Sequence, residues 1–439
     1  MKETAWITSG NFMVNPLIAV AFILLWAAPN LWAATPQVAA VGGTTYVIKK
    51  DGGLWAWGGI PFREPHFRHG EGGDESLDIQ VKTSAVPVQV TKDSDWAYIS
   101  TTGTSPHMAI KTDGSLWAWS WMPSGWGPST FPKEQWKNHG LHSVVRYCVT
   151  QVSTDPGWWT TSTGFNPPEK APLSKPTDKD FGWASAASGV EFAVLLKSDG
   201  TLWAWGSFNE NFKGPGSGVH YSHPAQVGND HDWKAVTAVD HHVVALKKDG
   251  SLWGWGINTH LLGLGRASFE KWVPEPVQVG EEKDWETVTA GGNFFLARKA
   301  DGSLWAWGAN PQGVRGISPD DPITTARYLP NRIDSDSDWA AIGAGYSHAL
   351  AIKKDGSLWA WGGNEQGQLG LGEADQESHL APAQVGTGTD WVAVDGGGAH
   401  TVALKTDGSV WTWGSNFAGQ LGDGTKEDRY LPVRVFSVK

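Results

Sequence analysis

Three histidine pairs have spacing that could hold a metal: His66-x-x-His69, His139-x-x-His142 and His220-x-x-His223, with His241 and His242 adjacent. None is joined by a cysteine or a second ordered cluster, and residues i and i+3 of a strand face opposite sides, so ordinary loop histidines are expected. Asp334-x-Asp336-x-Asp338 begins like a calcium loop but lacks its glycine and terminal glutamate. Nucleophilic chemistry fares no better. There is no Gly-x-Ser-x-Gly and no phosphate-cradling Gly-x-x-x-x-Gly-Lys, and nothing in the sequence supplies a base for Cys148. Neither catalytic residues, metal nor cofactor is expected, and the chain is read as a non-enzyme.

Recognition chemistry is better represented. Trp121, Trp126, Trp136, Trp158 and Trp159 stand among eight prolines between residues 120 and 182, and Trp272 stands outside any periodic position. Aromatic rings framed by prolines suit a rigid binding surface, and these six tryptophans are the partner-binding candidates. Local packing of a blade is the simpler reading for the same residues.

The element that must carry them is a repeat. Asp-Gly-x-Leu/Val-Trp-x-Trp occurs seven times, at Asp51, Asp113, Asp199, Asp249, Asp301, Asp355 and Asp407. A tryptophan precedes the motif Asp by 16 residues at Trp183, Trp233, Trp285, Trp339 and Trp391, and by 17 at Trp96; in the first copy that place falls on Thr35. Acidic residues lead into it at Asp95, Asp232, Asp284, Asp338 and Asp390, which explains the false calcium loop. His242, His348 and His400 recur seven residues before the motif Asp, where packing or a backbone hydrogen bond is expected. Pro-x-x-Val/Ile follows most copies, from Pro87 to Pro432, and Asn-x-x-Gly-Gln-Leu-Gly-x-Gly appears at Asn364 and Asn416.

Each motif reads as a β-hairpin. An alternating apolar run enters Asp-Gly, which is expected to supply the positive-φ residues of a two-residue turn, and a second run leaves. Trp411 and Trp413 then share one face, with Val410 and Thr412 on the other. No helical periodicity of useful length follows residue 35. Seven all-β units imply a seven-bladed β-propeller over residues 35–439, with an insertion at about 120–182. The two ends are expected to meet, with their strands sharing one blade.

Residues 1–34 form a separate segment. Leu17 to Ala28 is an uncharged apolar run, short for a membrane span but suited to the core of an export signal. A signal peptide is expected there, or failing cleavage a membrane anchor. Of the 439 residues, 34 are basic and 45 acidic, giving a net charge of −11 that disfavours nucleic acid as partner.

Asp-Gly-Ser-Leu-Trp-Ala-Trp-Gly, Gly-Gln-Leu-Gly-x-Gly, Pro-x-x-Val and the run Gly397 to Leu404 together resemble the regulator of chromosome condensation repeat family. The resemblance covers about residues 36–439, is strongest from 183 onward, and looks most like secreted bacterial members. It implies the seven-bladed fold. Function is less constrained, because the family spans a nucleotide exchange factor for a small GTPase, a plant ultraviolet-B photoreceptor and secreted bacterial enzyme inhibitors. The photoreceptor's Gly-Trp-Arg-His-Thr run is replaced here by Gly397-Gly-Ala-His-Thr401, which lacks both Trp and Arg. The leading expectation is an exported, monomeric interaction module, secreted or periplasmic, binding an unknown protein or a surface glycan and touching membrane only through an uncleaved N-terminal segment. Regulation of a small GTPase, by family analogy, is the alternative.

Overall fold

The computed structural model describes residues 36–59, 83–100, 107–119, 150–151, 182–190, 192–207, 220–257, 259, 261–265, 272–309, 312–316 and 328–439. Within them lie seven four-stranded antiparallel sheets, each built from consecutive strands. Blade one comprises Gln37–Val41, Thr44–Ile48, Leu54–Gly59 and Thr83–Gln89, and blade seven comprises Trp391–Gly396, His400–Lys405, Ser409–Gly414 and Arg429–Ser437; the first strands of blades two to six are Trp96–Ile99, Trp183–Ser188, Trp233–Val239, Trp285–Ala290 and Trp339–Ala344. The first strand of every blade touches the first strand of the next, and the first strands of blades seven and one also touch, so the seven sheets close into a ring around these inner strands. One cluster of buried apolar side chains fills each blade-to-blade interface.

The repeated motif is legible atom by atom in blade six. Asp355 Oδ1 accepts from Ser357 N at 2.9 Å and from Ser357 Oγ at 2.6 Å, and Ser357 Oγ accepts from Trp359 Nε1 at 2.9 Å. Leu358 and Trp361 are fully buried, whereas Trp359 is half-buried. Trp361 Nε1 donates to Val314 O of blade five at 2.8 Å. Thus both faces of the third strand are covered, each by a neighbouring blade.

The turn itself differs from the expected two-residue form. Gly356 N donates to Lys353 O at 2.9 Å and Lys353 N to Ser357 O at 3.0 Å, and Gly356 alone takes positive φ, +83°. Lys354 and Asp355 are the corners of an ordinary turn, followed by glycine in the left-handed region as a bulge. The Asp is retained because its carboxylate satisfies the backbone N–H two residues on.

Closure also differs from expectation. Among the described residues no blade mixes strands from the two ends; blades one and seven are each built from consecutive strands. The ends meet edgewise instead. Val438 N donates to Gly408 O at 2.9 Å, and Lys50 N donates to Val438 O at 3.1 Å. These bonds replace those made elsewhere by the Asp-Trp step, such as Trp391 N to Gly356 O at 3.1 Å and Thr406 N to Asp390 O at 2.9 Å. Val438 joins Val38, Val47, Trp57, Val402 and Val410 in the closing core.

Pro-x-x-Val lies on the outermost strands, as at Pro87, Pro276, Pro382 and Pro432. A missing N–H is harmless on an edge strand and blocks pairing with a further chain.

Candidate functional site

Antiparallel connectivity divides the loops between two faces. One face carries the turns between first and second strands together with the loops between third and fourth. The other carries the Asp-Gly turns and the connections between blades.

On the Asp-Gly face, every blade places a lysine two residues before the motif Asp: Lys49, Lys111, Lys197, Lys247, Lys299, Lys353 and Lys405. Lys353 Nζ stands 4.9 Å from the Trp339 ring and 5.0 Å from that of Trp359, and pairs with Asp336 at 2.5 Å and Asp338 at 3.2 Å. Lys247 repeats this with Trp233, Trp253, Asp230 and Asp232, and Lys111 with Trp96, Trp117, Asp93 and Asp95. These carboxylates hold the pKa of Lys111, Lys247 and Lys353 above the ordinary value, against a desolvation that pulls it down. Two faces of π-electron density and two carboxylates surround a cation that is mostly withdrawn from water. The sevenfold lysine is visible in the sequence, and its fixed offset from the motif Asp is the signal that marks it.

The cage also disposes of the calcium-like triplet. Asp336 and Asp338 are consumed by Lys353, while Asp334 Oδ1 accepts from Asp336 N at 3.0 Å and from Trp339 Nε1 at 3.3 Å. No group of three metal-ligating side chains occurs among the described residues.

The recurrent histidines are buried between blades. Thr45 Oγ1 donates to Gln420 O at 2.8 Å, which leaves His400 Nε2–H to donate to the same hydroxyl at 2.9 Å. His348 repeats the arrangement with Thr401 and Gln368 O, at 3.0 and 2.8 Å. Burial depresses the ring's pKa to about 4 in His400 and about 3 in His348, which keeps both rings neutral at neutral pH. Instead of bonding the backbone directly, His348 and His400 reach a neighbouring blade's threonine, which passes the bond to the backbone; His242 pairs with Thr259 of its own blade at 2.8 Å. His66, His69, His139 and His142 lie outside the described residues; His220 and His223 are in the outer strand of blade three.

Trp121, Trp126, Trp136, Trp158 and Trp159 also lie outside the described residues. Trp272 opens the outer strand of blade four, opposite Ile257. The insertion is divided by a strand that sequence reading missed: Thr150–Gln151 pairs with Trp117 and Ala118 as the fourth strand of blade two. Its signal was Thr150-Gln-Val152, matching Val88-Gln-Val90, Val277-Gln-Val279 and Ala383-Gln-Val385.

On the loop face, the inner turns are linked by backbone bonds: Gly292 N to Tyr346 O at 3.1 Å, Tyr346 N to Gly397 O at 2.9 Å, and Gly398 N to Gly42 O at 2.7 Å. The Gly-Gln-Leu-Gly loops staple each blade to the next. Gly372 N donates to Tyr430 O and Gly424 N to Ala85 O, at 2.9 and 2.8 Å. Two aromatic rings are exposed among the described residues, and both stand here: Tyr346 at 61% and Phe417 at 73%. Tyr346 lies against Gly292 of blade five and Phe417 against Gly43 of blade one.

Residues 161–439 match the family model described as RCC1-like domain. The chain is 33% identical over 178 residues to the ultraviolet-B receptor UVR8 of Arabidopsis thaliana, covering 40% of this chain and 39% of that protein. It is 37% identical over 176 residues to the probable E3 ubiquitin-protein ligase HERC6 of Homo sapiens, covering 39% of this chain and 16% of the ligase. The matches thus span well under half of these relatives, and their activities belong to the whole proteins. Yeast RCC1 (Prp20), in a structure bound to Kap60, superposes with a TM-score of 0.65 at 16% identity, covering 100% of this chain and 90% of that one. Human WBSCR16 gives 0.61 at 17%, covering 84% and 89%. At such identities the likeness is one of fold.

Proposed function

Because the chain belongs to the RCC1-like domain family, we propose that it is a non-enzymatic interaction scaffold, exported from the cell that makes it, whose loop face docks a protein partner. The observation that carries this reading is the exposure of Tyr346 and Phe417 on one rim of a protein in which every motif tryptophan with a described side chain is buried or half-buried. A rigid, closed ring presents such groups at little ordering cost. The apolar run from Leu17 to Ala28 supports export. Trp121, Trp126, Trp136, Trp158, Trp159 and Trp272 enter the reading as a second set of contacts, contributed by the insertion and by blade four.

A photo-cross-linking amino acid placed at Tyr346 or Phe417 in the native host tests the docking face. A discrete adduct is expected at both positions and not at Glu281, an exposed residue of the opposite face. Adducts indifferent to position count against it. Cell fractionation with amino-terminal sequencing tests export: a start near Ala34 or Thr35 in the exported fraction is expected. Intact protein in the cytosol would overturn export and favour the GTPase alternative, for which accelerated release of labelled nucleotide is the assay.

A further inference from the structure

The loop face also carries information about partner chemistry. Over residues 364–369 and 416–421 the loops of blades six and seven make the same hydrogen bonds. Gly367 N donates to Asn364 O and Gly419 N to Asn416 O, each at 2.9 Å; Leu369 N donates to Asn364 Oδ1 and Leu421 N to Asn416 Oδ1, each at 3.0 Å. Gln366 N and Ala418 N donate to the Gln368 and Gln420 side chains in the same way, at 3.0 and 2.9 Å. Glu365 therefore occupies in blade six the place that Phe417 occupies in blade seven. Phe417 reaches Gly43 in the inner turn of blade one, and the matching loop geometry gives Glu365 the equivalent place on the blade-seven side of blade six. Around the rim the order is Tyr346, Glu365, Phe417, one exposed carboxylate between two exposed rings.

The surrounding loops strengthen one sign of charge. Residues 364–378 and 416–428 hold seven carboxylates and one lysine, Lys426. Asp375 is taken by His379 at 3.0 Å, Asp423 by Arg429 at 2.7 Å and Asp428 by Asn416 N at 2.7 Å. Glu365, Glu373 and Glu377 are exposed, and none forms an ion pair among the described residues. Exposed rings attract cations over their faces, and carboxylates between them reinforce that preference. An acidic or purely aliphatic partner meets repulsion or unpaired charge on the same rim.

Resting on the scaffold reading above, we propose that the rim formed by Tyr346, Glu365 and Phe417 docks a cationic segment, one whose arginine or lysine side chains stack on the two rings and pair with the intervening carboxylate. Fluorescence anisotropy of a labelled Arg/Lys-rich peptide tests this with the full chain at physiological salt. Tyr346→Ser combined with Phe417→Ser leaves the net charge unchanged and is expected to weaken binding at least about tenfold, the scale of one good cation–π contact. Glu365→Lys is expected to match that loss, and Glu281→Lys on the opposite face to leave binding within about twofold. Equal losses from Glu365→Lys and Glu281→Lys, or indifference to the aromatic pair, would mean bulk attraction to an acidic protein and overturn the proposal. A cross-linked partner at Tyr346 that lacks any basic segment overturns it too, while leaving the scaffold reading intact. Absence of an adduct at both rim positions defeats the scaffold reading itself.

Discussion

Ala40 N donates to Asp395 Oδ2 at 2.8 Å, joining the inner strands of the first and last blades across 355 residues of sequence. The carboxyl is buried, and burial raises its pKa well above the ordinary value even though Ala40 N and Gly396 N hold the charged form. Gln37 makes a comparable link from blade one to blade two, donating to Ala97 O at 2.8 Å and accepting from Ile99 N at 3.3 Å. Tyr98 donates to Ala186 O at 3.1 Å and so joins blades two and three. Closure of the ring is thus reinforced by polar side chains reaching the free backbone edge of the next inner strand.

A raised folded-state pKa fixes the sign of the Asp395 contribution. Its stabilising effect is complete below the unfolded value of about 3.9 and is lost as pH rises through the folded-state pKa. Asp395→Asn keeps an acceptor without the ionisation. Thermal melts across pH are expected to show the Asn variant gaining on the parent as pH rises, and Asp395→Ala losing about 1–3 kcal/mol at low pH through the orphaned Ala40 N–H. A parallel pH dependence for parent and Asn variant would refute this.

His348 and His400 act in the opposite direction. Their folded pKa values, about 3 and about 4, lie below the unfolded value of about 6.5. Stability is unaffected above that value and falls as pH drops from there towards the folded values, because the unfolded chain binds protons the folded ring refuses. Denaturant melts from pH 7 to pH 4 should steepen accordingly. His348→Gln and His400→Gln should each flatten the slope, at the cost of some stability at pH 7. An unaltered slope in both variants would show that other groups set the acid limb.

The cages rank the lysines. Lys353 faces two carboxylates, whereas Lys405 faces Asp390 alone at 2.9 Å, with Gly388 where the second acid stands in other blades. Removing the cation leaves the acids facing one another. Lys353→Met is expected to cost about 1–2 kcal/mol and Lys405→Met less, because the carboxylates are half-exposed and water screens them. The difference should shrink in high salt. Equal costs at low salt would assign the lysines a packing role only.

Much of this was legible in advance for a physical reason. Blade number, hairpin positions and the burial of Trp307, Trp361 and Trp413 follow from a motif whose every residue has a local task, so repetition exposes it. The fourth strand of blade two was obscured because Thr150-Gln-Val152 lacks the proline that flags the other outer strands. Closure was hidden because Val438 carries out the Asp-Trp step without resembling it, and Phe436 fills the missing ring position, 5.2 Å from Trp55. The rim of Tyr346, Glu365 and Phe417 was illegible because blade order and loop conformation, not sequence spacing, set their order around one face.

Glycines that look alike in the sequence divide by what surrounds them. Gly356 has φ +83°, and an added Cβ would lie 2.2 Å from Thr389 O of the next blade connection. Gly386 has φ +61° with nothing within 4 Å. Both alanine variants bear the left-handed penalty of about 1–2 kcal/mol, and only Gly356→Ala adds a collision with backbone that cannot retreat without shifting the Trp391 N–H bond to Gly356 O. Chemical denaturation should place Gly386→Ala about 1 kcal/mol below the parent and Gly356→Ala at least about 2 kcal/mol lower still. If the two variants lose equally, close approach of the blades contributes nothing at this turn, and the glycine of the repeated motif is required for its backbone conformation alone.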